Sequence, residues 1–312
     1  MNEIDTVFNG YEDITNEDSV ENRQYSKEEY AEFKRNEKSQ IYELIDKTAE
    51  KIVTSGEEFK KYLDNQSKFD NYSVGNALLV TAQMPKAIML RDMANWNSMG
   101  AYIKRFAKPV KILEPGDNYM REDGSVGVNY NVKKVYDISQ VTPKQRINNM
   151  RYDSKVLLRI FLNASSSEIK VVDEIPGNDR GVMFDLEEDK LYIARGAEAP
   201  KVFYELAEEL AKQEIGDNSS LDAFKNYCVS YMLCKKYNID VSNYNFEIPQ
   251  ELKNMNAREI REELEPIKDA IENINTRMGA YIQKLTRERK SKENARWGGL
   301  ISFGTKKNVN SR

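Results

Sequence analysis

Histidine is absent from the 312 residues, and with it the side chain that most often serves as general base, proton shuttle or transition-metal ligand near neutral pH. A Ser-His-Asp, Cys-His or His-ligated zinc mechanism is therefore excluded for this chain acting alone. Cysteine is scarce. Cys228 and Cys234 lie six apart in a helix-like stretch, so their side chains point about 120° apart and do not easily bridge. They read as small apolar core residues, and their number and spacing suit a reducing compartment better than a disulfide framework or a Cys-based metal site. Long apolar runs are missing too, the aliphatic stretches falling far short of the ~20 residues a membrane helix needs. The opening MNEIDTVFNGYEDITNED lacks a basic stretch followed by an apolar one, so neither a targeting segment nor a membrane partner is expected, and the cytoplasm is the expected location.

What remains is 40 % hydrophobic and 31 % charged, a soluble composition long enough for one or two cores, with two domains expected. The net charge of −4 is a cancellation. Residues 1–30 carry −7, residues 50–150 carry +4 from 15 bases against 11 acids, residues 151–280 carry −8, and residues 281–312 carry +7. The acidic, aliphatic-poor opening, 1–25, is expected to be a solvated tail, because it cannot bury enough apolar surface to offset its ordering entropy.

Helical signals begin at Ser26 with Glu29 and recur at Ser55 with Glu58, both in capping-box form, and a short helix fits Ser73 to Gln83 before Pro85. After Trp96 and Gly100 the period turns to that of strands, through PVKIL at 109–113 and, past an Asp123-Gly124 turn, Val126, Val128, Tyr130 and Val132. A second group follows: Ile169-Lys-Val-Val, then GVMFDL and KLYIA around EEDK. Helices follow at about 200–214, with Val202, Phe203, Leu206, Ala207 and Leu210 on one face, and at about 221–237. The last helix carries Ile260, Leu264, Ile267, Ile271, Ile274, Met278, Tyr281 and Leu285 in heptad spacing. That seam either packs on this chain or pairs with a partner across 260–285, and Pro266 is expected to kink or restart the helix.

The pieces FKKYLDNQSKFDNYSVGNALLVTAQMPKA, W96NSMGAYIKRFAKPVKILEP and VYDISQ at 135–140 stand in an order that resembles the N-terminal domain of ArdC-like antirestriction proteins. They are closer still to LtrC-like proteins of conjugative elements. The resemblance implies binding of single-stranded DNA, which needs cations for its phosphates and flat apolar faces for its unstacked bases. The candidate contacts are Lys60, Lys61, Tyr72, Asn76, Trp96, Lys104, Arg105, Lys108 and Lys111, interleaved with further aromatics that include Tyr102 and Phe106. Structural alternatives stand beside them. Trp96 is a core plug or a stacking platform, Tyr72 and Asn76 cap and staple a helix start, and Lys104, Arg105, Lys108 and Lys111 contact phosphate or form an ordinary solvated face around a turn.

Downstream, LYIARGAEAPKVFYELAEELAKQEIG resembles the strand, loop and helix that carry HELAH in the zincin-like half of that family. A zincin sets two histidines four apart on one helix face so that both reach one Zn²⁺, with a Glu to polarise the attacking water. Here the register reads Tyr204-Glu205-Leu206-Ala207-Glu208, so Glu205 is kept and both histidine positions are lost. The third ligand falls on Tyr227. A phenol with pKa near 10 is a poor ligand and one Glu offers a single hard oxygen, so no metal and no cofactor are expected.

The expected architecture is α+β: N-terminal helices with a small antiparallel sheet, then a zincin-like α+β domain with a long C-terminal helix. The expected boundaries are an acidic tail 1–25, a single-stranded-DNA-binding domain 26–140, a degenerate zincin-like domain 141–250, a long amphipathic helix 251–290 and a basic flexible tail 291–312. The expected function is that of an accessory protein of a conjugative element carrying an inactive metallopeptidase-like domain. The alternatives are a protein-interaction scaffold using the acidic domain and the 260–285 seam, and an atypical peptidase.

Overall fold

A computed structural model describes residues 26–121, 123–145, 151–175, 179–197 and 199–304, without the side chains of 199, 200, 289 and 292–304. The acidic segment 1–25 and residues 305–312 lie outside the described residues. The chain divides into two compact units: residues 1–148 joined by Phe246–Arg261, and residues 149–245 joined by 262–312. The first unit thus draws on a segment that sequence reading assigned to the second domain and its helix.

In the first unit, helix α1 (Lys27–Ile52) starts at a complete capping box between Ser26 and Glu29. Helix α2 (Gly56–Lys68) is capped by the Ser55 side chain and α3 (Val74–Gln83) by Ser73. These hydroxyls satisfy amide groups that the first helical turn leaves unpaired. Strand β1 (Leu90–Arg91), helix α4 (Met93–Ser98) and strand β2 (Tyr102–Ile103) lead into the long hairpin of β3 (Val110–Met120) and β4 (Val126–Asp137). The hairpin turns at Gly124, whose φ of +80 suits a residue without Cβ. Strands β1, β4 and β3 form one antiparallel sheet in that order. Strand β2 pairs antiparallel with β5 (Val141–Thr142).

Two small apolar clusters anchor this sheet. Phe69, Val80, Ala87, Val110, Ile112 and Val135 form one, and Trp96, Ala101, Ile138 and Val141 the other. Each fully buried Val, Ile or Phe is worth about 1.5–3 kcal/mol over exposure. Helix α3 also closes the free edge of β3. The Asn76 amide donates to the Leu113 carbonyl and accepts its N–H, both at 2.8 Å. One turn pair further on, Gln83 does the same to Lys111, at 2.8 and 2.9 Å. Two side-chain amides thereby substitute for a neighbouring strand, satisfying backbone groups that a sheet edge would leave exposed.

The second unit opens with helix α5 (Ser154–Leu162), and its three strands are β6 (Glu168–Val172), β7 (Val182–Asp185) and β8 (Lys190–Ala194). Strand β8 is central, parallel to β6 and antiparallel to β7. Helices α6 (Ala199–Ile215) and α7 (Ser220–Lys236) pack together, and Cys228 and Cys234 are buried free thiols. After the short α8 (Gln250–Lys253), helix α9 (Ala257–Gly304) runs through Pro266 without interruption. It continues well past 290, where a flexible tail was expected. Its seam is buried from Ile260 to Met278 within this chain, which leaves that stretch no open apolar stripe for a second copy. Among the described residues no helix is long and apolar enough to cross a membrane.

Candidate functional site

The nine residues expected to contact nucleic acid separate into structural and available groups. Trp96 is fully buried, and its indole N–H donates to the Tyr136 carbonyl at 2.9 Å, so it is the core plug rather than a stacking platform. Asn76 is spent on the β3 edge, as described above. Tyr72 stacks on Phe69 with ring centroids 5.3 Å apart and packs against the first apolar cluster; burial pushes its phenol above the usual pKa.

Three of the lysines are paired with carboxylates. Lys60 lies 3.7 Å from Asp64, Lys61 reaches Glu58 at 2.6 Å and Glu57 at 3.5 Å, and Lys111 meets the buried Glu37 at 3.1 Å. Burial alone would raise the Glu37 carboxyl, but hydrogen bonds and charge from Lys34 and Lys111 bring it below its ordinary value. Lys111 therefore neutralises a buried acid and is not open to a phosphate. The exposed pairs of Lys60 and Lys61 are weak by comparison, worth about 0–1 kcal/mol each, and leave those two ammonium groups only partly engaged.

The remaining three, Lys104, Arg105 and Lys108, sit on one exposed turn between β2 and β3. Arg105 and Lys108 have no carboxylate partner among the described residues, and the Lys104 ammonium donates to the Ser139 carbonyl at 2.7 Å. The turn is braced from the VYDISQ segment. Lys104 N–H donates to the Gln140 carbonyl at 2.9 Å, and the Gln140 side chain donates to the Lys108 carbonyl at 2.6 Å.

Asp137 in turn holds that segment. Its carboxylate accepts the N–H groups of Ile88 at 2.7 Å and of Met89 and Ser139 at 2.9 Å each. Burial works to raise this carboxyl, and the Ile88, Ser139 and Met89 N–H groups together with the Ser139 hydroxyl outweigh it, leaving the pKa lowered. Gln83, Asp137 and Gln140 were legible only as parts of quoted motifs; their roles as clamps depend on partners distant in sequence. Phe106, in the same turn, was noted among the aromatics but not assigned to the site.

In the second unit, α6 carries the Tyr204-Glu205-Leu206-Ala207-Glu208 register. The Glu205 carboxylate accepts from the Gly181 and Val182 N–H groups at the start of β7, at 2.7 and 3.1 Å. Glu208 pairs with Arg180 at 3.0 Å, and the buried Glu209 shares that guanidinium at 2.9 Å. Burial raises the Glu209 carboxyl even though Lys212, the Phe184 N–H and Arg180 pull the other way.

The two tyrosines turn elsewhere. Tyr204 donates to the Asp240 carbonyl at 2.7 Å, and its ring lies 6.0 Å from that of Tyr244. Tyr227 lies 4.8 Å from the same Tyr244 ring and accepts from the Asn245 N–H at 3.0 Å. The Tyr244 hydroxyl bonds Ser230 at 2.6 Å, and burial raises its phenol.

So the four positions form two pairs, tyrosines around Tyr244 and glutamates between β7 and Arg180. Tyr204, Glu205 and Glu208 each hydrogen-bond outside this set of four. These residues do not fit a metal ion. One carboxylate is held by two backbone amides on one oxygen with the Lys201 ammonium 3.7 Å from the other, the second carboxylate already faces Arg180, and the phenols are weak ligands. Among the described residues no group of three or more Cys, Asp or Glu is arranged to hold a metal.

No protein-family model and no curated protein sequence matches the chain. Among the solved structures that share its fold are two crystal structures of the antirestriction protein ArdC from plasmid R388, one described as metal-free and one as Mn(II)-bound. The first is 14 % identical at a TM-score of 0.51, over 76 % of this chain and 98 % of that one. The second is 12 % identical at the same TM-score of 0.51, over 75 % and 98 %. The α+β fold is thus ArdC-like, as the resemblance implied.

Proposed function

We propose that the chain is an accessory protein of a conjugative or other mobile element, of the antirestriction kind, that holds single-stranded DNA on its first unit and carries a catalytically inactive metallopeptidase-like second unit. The observation that carries the reading is the braced turn Lys104–Lys108. It offers cations that have no acidic partner among the described residues, on a fold shared along nearly the whole length of an antirestriction protein. Phosphate contacts of this kind release counterions, so affinity falls with salt by about 0.7 log units per contact for a single strand.

The double change Lys104→Glu with Lys108→Glu should therefore weaken binding of a labelled single-stranded oligonucleotide and flatten the log K against log salt plot by about 1.4. Lys235→Glu with Lys236→Glu changes net charge equally on the acidic unit and should leave that slope intact. Equal effects from the two pairs would mean the turn is not the contact.

The second unit is read as inactive because its helix register supplies Tyr204, Glu205 and Glu208 where a zincin has His, Glu and His, with Tyr227 as the third position. A metal would lower the pKa of its bound water from 15.7 to about 7. Arg180 and the β7 amides instead occupy the two carboxylates. Purified protein is expected to carry no stoichiometric zinc or manganese by mass-spectrometric metal analysis. A one-to-one metal content that resists dialysis would overturn the inactive reading while leaving the DNA reading standing.

A further inference from the structure

Among the described residues, the large hydrophobic side chain most exposed to water is Phe106, at 82 %. Its backbone sits at φ +64, the left-handed region that glycine or asparagine enters readily and a bulky side chain enters only at a cost. Glycine here would relieve the backbone and remove an apolar ring from water at once. The surrounding structure instead braces the backbone that presents the ring. The Arg105 guanidinium lies 4.7 Å from its centroid. The Ala107 N–H closes the turn onto the Lys104 carbonyl at 3.1 Å, and Gln140 clamps both ends of the turn, as described above.

A strained, solvated and braced aromatic ring gains from a partner that is flat, apolar on its face and flanked by negative charge. An unstacked nucleobase between two phosphates has that chemistry. The ring would take the base, while Arg105 and Lys108 lie within two residues of it for the phosphates. Bases in a duplex already stack on each other and present no free face.

We infer that Phe106 is the base-stacking platform of the first unit, selecting unpaired nucleotides, with Arg105 bracing the ring and contacting the backbone. The inference rests on the reading of the first unit as a single-strand binder and adds the residue that gives it a preference for bases over bare backbone.

The test compares full-length wild type, Phe106→Gly and Phe106→Tyr by fluorescence anisotropy on two labelled strands of equal length, oligothymidine and its abasic counterpart. Phe106→Gly suits the backbone angle, so it removes the ring without threatening the fold. Wild type and Phe106→Tyr should prefer the thymidine strand by about 5- to 150-fold, the worth of one stacked base. Phe106→Gly should lose at least about fivefold of that preference and keep its salt slope, because the cations remain. Undiminished preference in Phe106→Gly would overturn the stacking role alone. Failure of wild type to bind either strand would overturn it together with the reading it rests on.

Discussion

Asp137 shows how one side chain can hold a site without entering it. Its carboxylate ties the amides of Ile88 and Met89 to the segment whose next residues, Ser139 and Gln140, hold the Lys104–Lys108 turn. Asp137→Asn replaces an acceptor with a donor facing an N–H group and should cost about 1–3 kcal/mol at neutral pH. Because the folded-state pKa is lowered, the stabilisation is present above the unfolded value near 4 and is lost as pH falls through the folded one. Urea midpoints of wild type and Asp137→Asn should therefore differ at pH 7 and converge below about pH 4. A gap that stays constant into acid would show that the carboxylate charge is not what matters. Trp96 and Phe106 make a second contrast, since both are aromatics near a basic turn: the first is buried, the second almost wholly exposed.

Helix starts are where local chemistry speaks most clearly. Gly56 opens α2 directly after its cap, where alanine would ordinarily add stability. Here an added Cβ would collide with the backbone carbonyl of Phe246, and backbone cannot swing aside as a side chain can. Gly56→Ala should destabilise by about 1–3 kcal/mol in urea unfolding; a gain in stability would mean the close approach is absent.

The capping residues Ser26, Ser55 and Ser73, the Asp123-Gly124 turn and the heptad seam of α9 were legible because each depends on neighbours a few residues away. The pairing of β7 with β8 around EEDK was legible for the same reason. Partners across the fold were not. Nothing near Lys111 in sequence announces that it meets Glu37, and nothing near Glu205 announces the amides of Gly181 and Val182. The burial of Trp96 and the carboxylate partner of Lys111 likewise depend on residues far away in sequence.

The two units divide the chemistry. The first presents cations on a hydrogen-bonded turn, and the second turns Glu205 and Glu209 inward onto backbone amides, Arg180 and Lys212. The segment Phe246–Arg261 returns to the first unit, where Phe246 lies 6.2 Å from Phe59 between ring centroids. The first unit is therefore not contained in residues 26–140, and binding is best measured on the full chain.

The decisive measurement is the affinity of full-length protein for a labelled oligothymidine strand of about 20 nucleotides at roughly 50 and 200 mM salt. Three cations on the phosphates correspond to a slope near −2, so binding should be saturable at the lower salt and about tenfold weaker or more at the higher. No binding at the lower salt, or binding that salt leaves unchanged, would mean this protein does not grip nucleic acid through the Lys104–Lys108 turn.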